Sequence, residues 1–187
     1  MFLHRFCHII ASRLAPINKT VGTAGVKIAA VFLAVMVVVV LAQILFRYIL
    51  NDSLAWAEEL AKAMMVWMAF LVAPLAMRSG ANVSIEMLAE ALPVRLRIFL
   101  QLIIGAAVIW VLSLFLIESV GLWQRGLTVS AASLPVKMAF FYSIVPVGFI
   151  ALQLVAIELF FRDIMAFIDP ASVKPLDRNS FSAGDPL

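Results

Sequence analysis

The sequence predicts an all-α integral membrane protein with four transmembrane helices. Of its 187 residues, 65% are hydrophobic and 13% are charged, which lies outside the range of soluble globular domains. Two apolar runs, 28–46 and 98–117, are each long enough to cross a ~30 Å hydrocarbon core as a helix. Two further runs, 60–77 and 138–161, reach a similar length with few polar interruptions. Because segments of alternating hydrophobicity are absent, a helical bundle is predicted rather than a barrel.

The first segment, residues 1–25, is expected to be an interfacial arm. Its basic residues are spread along it and it has no apolar core, so it does not read as a cleavable signal peptide. Apolar residues at three- and four-residue spacing predict an amphipathic helix that ends near Pro16. A frayed basic tail is the alternative. Helix 1 is predicted over 26–50, before the turn residues Asn51 and Asp52.

Helix 2, predicted over 55–77, begins with charged residues at one end of an apolar span. One aromatic and three ionisable residues lie in its first two turns: Trp56, Glu58, Glu59 and Lys62. Their spacing lets Lys62 serve either carboxylate. Since the loop before this helix is short, helices 1 and 2 should be antiparallel, which favours an ion pair from Arg47 to one glutamate. The alternative is that all four charges point into the lipid headgroups.

The sequence also predicts how helix 2 packs and where the next two helices lie. Small residues at 69, 73 and 76 suggest that this face of helix 2 allows another helix to approach closely. A short cytoplasmic-surface helix over 83–92, or an ordinary polar loop, leads into helix 3 over 98–118.

Helix 4 is predicted over 137–162. We expect a kink near Pro146 and Gly148 and a pairing of Glu158 with Arg162 at its end. Residues 169–187 form a polar tail.

The distribution of Lys and Arg predicts that both termini are cytoplasmic. In this orientation ten of the 14 basic residues, Lys27 among them, lie on the inner side. The other four lie at or near the outer side: Arg47, Lys62, Arg125 and Lys137.

The sequence lacks the residue patterns that several functions require. No histidine lies within a span, so a haem-binding anchor is disfavoured. Catalytic triads, HExxH and phosphate loops are absent, so no enzyme activity and no cofactor are expected. The single Cys7 excludes an internal disulfide framework, and scattered basic residues argue against nucleic acid.

The predicted spans also contain few residues that could bind or conduct a solute. Their middles are nearly free of charge, and only a few polar residues could line a path: Gln43, Gln101, Ser113 and Gln153. A self-sufficient transporter usually has broken helices and a midplane site. The residues therefore favour a small bundle that accompanies a larger membrane protein. An autonomous small carrier or channel, and an anchor for a redox enzyme, remain the alternatives.

Two stretches resemble a known family. The first runs from Arg47-Tyr48 through Trp56-Ala-Glu58-Glu59-Leu-Ala-Lys62 and Val66-Trp67 to Arg78-Ser-Gly80. The second is SAASLPVKMAFFYSIVPVG, with Pro135, Tyr142, Pro146 and Gly148. Both resemble the small membrane subunit (the DctQ-like or Q subunit) of tripartite ATP-independent periplasmic (TRAP) transporters. Asn82 departs from the family, which commonly has histidine there.

The resemblance implies a multi-pass protein of the bacterial inner membrane. Its partners would be the lipid bilayer, a large multi-helix M (DctM-like) subunit and a periplasmic solute-binding protein. Together they would import an organic acid with a sodium gradient used by the large subunit, which this chain would brace. The matching residues would be contact and anchoring residues: Arg47, Trp56, Glu58, Glu59, Lys62 and Trp67. Their alternative role is that of interfacial charges and belt aromatics.

Overall fold

Five helices contain most of the residues that the structure describes. The computed structural model describes residues 2–52, 54–80 and 94–168. The helices are α1 (Phe2–Ile49), α2 (Ala55–Gly80), α3 (Val94–Gly126), α4 (Met138–Tyr142) and α5 (Ile144–Ile168). Within the described residues, four stretches are long and apolar enough to cross a membrane: Arg13–Ile49, Ala55–Ser79, Phe99–Gly126 and Met138–Met165. The predicted four-span, all-α class is confirmed.

The first helix is longer than predicted. It continues from Phe2 to Ile49 through Pro16, so the expected helix end near Pro16 is wrong. A proline removes one backbone hydrogen bond, but packing can hold a helix together across that loss. Asn18, two residues further on, is 4% exposed because it packs against α5. An interfacial location for residues 1–25 stays a prediction.

The first two helices are antiparallel, as expected. They are joined through Asn51, whose φ of 53° lies in the left-handed region that asparagine tolerates. Gly25 of α1 lies so close to Leu71 of α2 that a Cβ on residue 25 would meet the Leu71 backbone carbonyl. The close approach therefore depends on a glycine of α1. Of the small residues predicted to let another helix approach α2, Ala69 and Ala76 are exposed and Ala73 is half-buried.

The last helix is the centre of the bundle, because α5 contacts α1, α2, α3 and α4. Its Phe149 ring packs edge-on against Phe70 of α2, with centroids 5.3 Å apart. On its other side Phe149 stacks on Phe115 of α3 at 5.6 Å. Gln153 of α5 donates a 3.1 Å hydrogen bond to Ser113 of α3. Two of the polar residues that seemed able to line a path are thus paired with each other.

The predicted fourth helix is interrupted at Ser143, between α4 and α5. Pro146 has no N–H to donate to the carbonyl three to four residues earlier, so a break one turn before it is the expected effect of a proline. The predicted third helix, 98–118, is extended at both ends, to Val94 and Gly126. The predicted short helix at 83–92 and the tail at 169–187 lie outside the described residues.

The bundle has two ends, which differ in their polar contacts. At the hairpin end lie the α1–α2 connection and the segment 127–137. At the opposite end, Asn18 of α1, Arg78 of α2 and Glu158 of α5 come together.

Candidate functional site

The segment that joins α3 to α4 folds back on itself as a hairpin loop, residues 127–137. Ser130 and Lys137 form an antiparallel bridge. Ala131 N–H donates to the Val136 carbonyl at 2.9 Å, and Met138 N–H donates to the Val129 carbonyl at 2.9 Å. These bonds close the loop, so the residues at its tip are held in one arrangement.

Glu59 of α2 fastens this hairpin loop to the bundle. Its carboxylate accepts the backbone N–H of Ala132 at 3.2 Å and that of Ser133 at 3.0 Å. It also accepts the Ser133 hydroxyl. Hydrogen bonds to an ionised acceptor are roughly twice as strong as neutral ones. Glu59 therefore links the two stretches singled out in the sequence, although 74 residues separate it from Ser133.

The other charged residues at this end do not form the contacts that were predicted for them. Glu58 accepts a 3.2 Å hydrogen bond from the Gln43 amide of α1. Within the described residues, no ion pair joins Arg47 or Lys62 to either glutamate, so the favoured Arg47 pair is wrong. The physical reason is that Glu59 already binds fixed donors of the loop, and an exposed ion pair is worth little. Arg47, Glu58 and Lys62 are exposed.

The two tryptophans of the first stretch occupy different environments. Trp56 is 39% exposed at the hairpin end. The Trp67 ring lies between Phe32 and Phe140, with centroids 5.9 and 5.8 Å away. Its indole N–H donates to the Phe141 carbonyl at 3.1 Å, next to the break at Ser143. Trp67 is thus committed to contacts within the bundle.

Three of the four residues named from the second stretch, Tyr142, Pro146 and Gly148, are buried or half-buried. Tyr142 packs over Gly126 at the end of α3, and Gly148 packs against the Phe70 ring so closely that a Cβ would overlap it. Pro146 follows the break by one turn. Pro135, in contrast, is exposed on the hairpin loop. The stretch thus anchors the last helix and presents one exposed turn.

A second polar group lies at the opposite end, around Glu158 of α5. Its side chain is fully buried, with 0% exposure. One carboxylate oxygen lies 3.1 Å from Arg78 of α2 and 3.9 Å from Arg162, and the other accepts the Asn18 amide at 2.7 Å. The predicted Glu158–Arg162 pairing is confirmed, but the stronger contacts come from α1 and α2. A buried carboxylate needs such partners to offset its desolvation.

Sequence reasoning missed the partners that Glu58, Glu59 and Glu158 have on other elements. These partners are Gln43, Ser133, Asn18 and Arg78. Glu158 is a charged residue between apolar neighbours on its helix, which is a signal that it has a partner. The sequence spacing did not show that the partners lie on other helices.

The arrangement suits a rigid scaffold rather than a chemical site. Among the described residues, no group of His, Cys, Asp or Glu could hold a metal ion. Polar networks lie near the two ends, and an aromatic layer of Phe70, Phe149 and Phe115 lies between them.

Residues 36–166 match the family described as tripartite ATP-independent periplasmic transporters, DctQ component. The isethionate TRAP transporter permease protein DctMQ of Oleidesulfovibrio alaskensis is 26% identical over 57% of this chain and 18% of the relative. The C4-dicarboxylate TRAP transporter small permease protein DctQ of Vibrio cholerae is 28% identical over 53% of this chain and 43% of the relative. The sialic acid TRAP transporter small permease protein SiaQ of Vibrio cholerae is 24% identical over 72% of this chain and 78% of the relative. The match thus spans less than half of the first two relatives.

Proposed function

Since the chain belongs to the DctQ component family of TRAP transporters, we propose that it braces a large M transport subunit and helps a periplasmic solute-binding protein to dock. The family consists of transporter subunits, so the chain is a non-catalytic small permease subunit of the bacterial inner membrane. In the proposed orientation both termini are cytoplasmic and the hairpin end is periplasmic.

One observation supports the docking role above the others, and that is the attachment of the hairpin loop to α2 by Glu59. Three donors of the loop converge on this carboxylate. A loop fixed in this way offers a partner a preorganised surface, which lowers the entropy lost on binding. Pro135 and Lys137 are exposed on that surface.

The bracing role is supported by the way the helices are tied together. Glu158 joins α1, α2 and α5 near one end, and Glu59 fixes the hairpin loop at the other. The Gln153 amide N–H of α5 donates to the Ser113 hydroxyl of α3, which joins these two helices. The solute would then travel through the large subunit.

The proposed substrate class is an organic acid, taken up with a sodium gradient. The relatives are named for isethionate, C4-dicarboxylates and sialic acid, which are all organic acids. We expect a large hydrophobic protein and a secreted binding protein to be encoded beside this chain, and these are the partners to co-express.

Glu59→Ala tests the docking role. The loss of three hydrogen bonds should free the hairpin loop and lower uptake by about tenfold, because a mobile loop loses more entropy when a partner docks on it. Uptake is measured in cells that express all three components. The substrate affinity of the purified binding protein should not change.

Glu58→Ala is the matched control, because Glu58 is the adjacent carboxylate and makes a single hydrogen bond to Gln43. Its uptake should stay near the wild-type value. Full uptake by Glu59→Ala, or equal losses in the two variants, would contradict the docking role. A wild-type chain that never co-purifies with a larger membrane protein would contradict the bracing role.

A further inference from the structure

Two arginines share one buried carboxylate at the end of the bundle opposite the hairpin loop. Arg78 of α2 donates to Glu158 at 3.1 Å, whereas Arg162 of α5 lies 3.9 Å from the same oxygen, beyond hydrogen-bond distance. The Asn18 amide occupies the other oxygen of this carboxylate. Asp163 follows Arg162 in the chain, but no ion pair of the described residues includes it. One carboxylate therefore serves two positive charges, and the charge of Arg162 is in excess.

The two guanidinium groups have more donors than acceptors. Each carries five N–H donors. Among the described residues, Arg78 makes one side-chain hydrogen bond, to Glu158, and its Nε is buried without an acceptor. The side chains of Arg78 and Arg162 are 16% and 24% exposed, so both are largely withdrawn from water but can still be reached. Because buried donors are almost always bonded, a further acceptor is expected beside them.

Both arginines follow the end of an apolar run. The runs 60–77 and 138–161 stop directly before Arg78 and Arg162, respectively. On α2, about 30 Å of helix separates Arg78 from Glu58 near the hairpin end, which equals the thickness of a hydrocarbon core. A span that fills the core therefore brings both guanidinium groups level with the phosphates of one leaflet. Since phosphates border the core on both sides, this holds whichever end of the bundle is cytoplasmic.

We propose that Arg78 and Arg162 bind the phosphate of an anionic phospholipid between α2 and α5. Guanidinium groups match phosphate oxygens with two parallel hydrogen bonds, and basic pockets between transmembrane helices suit anionic headgroups. The phosphate supplies the acceptors that Glu158 does not, and its charge balances the excess charge of Arg162. The site goes beyond the proposed function, because it needs no partner protein.

Added lipid tests the site. The full-length chain is purified in mild detergent, and its aggregation temperature is measured with phosphatidylglycerol, with phosphatidylcholine or with inorganic phosphate alone. Phosphatidylglycerol should raise this temperature by about 5 °C relative to phosphatidylcholine, because a ligand that binds only the folded state stabilises it. A wild-type chain that responds equally to the two lipids would overturn the proposal. A shift of the same size with inorganic phosphate alone would overturn the lipid as the ligand.

Arg162→Gln is the informative variant, because Arg162 is not hydrogen-bonded to Glu158 and its loss leaves the Arg78–Glu158 pair in place. Each variant is compared with its own value in phosphatidylcholine, so a change in basal stability does not enter. In Arg162→Gln the difference between the two lipids should fall to about 1 °C or less. A variant that keeps the full difference would overturn the site.

Arg125→Gln is the matched control, since Arg125 is an exposed arginine at the hairpin end of α3. It should keep the full difference between the two lipids. Equal losses in the two variants would overturn the proposal, because they would reflect total charge rather than a specific site. If Arg162→Gln instead lowers co-purification of the large subunit and leaves the lipid effect unchanged, the acceptor is a protein and the proposal is wrong.

Discussion

At the residue scale, two glutamates hold the structure together, one near each end of the bundle. Glu59 was singled out from the sequence because it lies at the mouth of an apolar span. Its partners could not be found, because two of them are backbone N–H groups 73 and 74 residues away. Every residue except proline carries a backbone N–H, so the sequence does not show which of these groups bind a side chain. Glu158 was paired correctly with Arg162, since a four-residue spacing on a helix can be read locally.

Replacing Glu158 should destabilise the bundle. Glu158→Ala removes the carboxylate that Arg78 and Arg162 share, and breaking a buried ion pair costs about 3 kcal/mol or more. Glu158→Gln keeps the shape and should cost less. The measurement is the temperature at which the full-length complex aggregates in mild detergent.

Glu118→Ala is the control for that measurement, because Glu118 is exposed on α3. An aggregation temperature for Glu158→Ala equal to that of the control would show that the polar group around Glu158 contributes nothing to stability.

At the element scale, the two prolines inside predicted helices had opposite outcomes. The helix continues through Pro16 but is interrupted one turn before Pro146. Near Pro146, Trp67 donates to the Phe141 carbonyl beside the break, so this irregular backbone has a side-chain partner. The contacts around each proline decide whether a helix continues, and these contacts are long-range. Residue type alone therefore could not distinguish the two sites.

Gly25→Ala should separate α1 from α2. The added Cβ would meet the Leu71 backbone carbonyl, which cannot move without its helix. Overpacking of this kind costs about 1–3 kcal/mol. The same aggregation assay should show a lowered temperature. Ala30→Leu, a larger change at an exposed position of the same helix, should have little effect. The opposite ranking of the two variants would contradict the contact.

At the scale of the whole molecule, the sequence was sufficient for the class and the number of spans. Long apolar runs allow few other structures in lipid. Which helix lies at the centre was not predicted. All four spans are apolar around most of their circumference, so no amphipathic stripe marks the buried side.

The orientation of the bundle can be tested with two single cysteines in a Cys7→Ser background. Thr128 and Ser79 are exposed at the hairpin end and the opposite end, respectively. If the hairpin end is periplasmic, a membrane-impermeant maleimide should label Thr128→Cys in intact spheroplasts. Ser79→Cys should react only after the membrane is permeabilised. The reverse pattern would invert the proposed topology.

The central position of α5 has a consequence for biogenesis. The helix that contacts all the others is the last of the described helices to leave the ribosome. Until it inserts, Arg78 and Asn18 have entered the membrane without the carboxylate that they share in the finished bundle. The nascent chain therefore passes through a stage in which the earlier spans wait, incompletely packed, beside the translocon. Quality-control proteases that recognise unpaired polar groups would cleave the chain most readily during this interval.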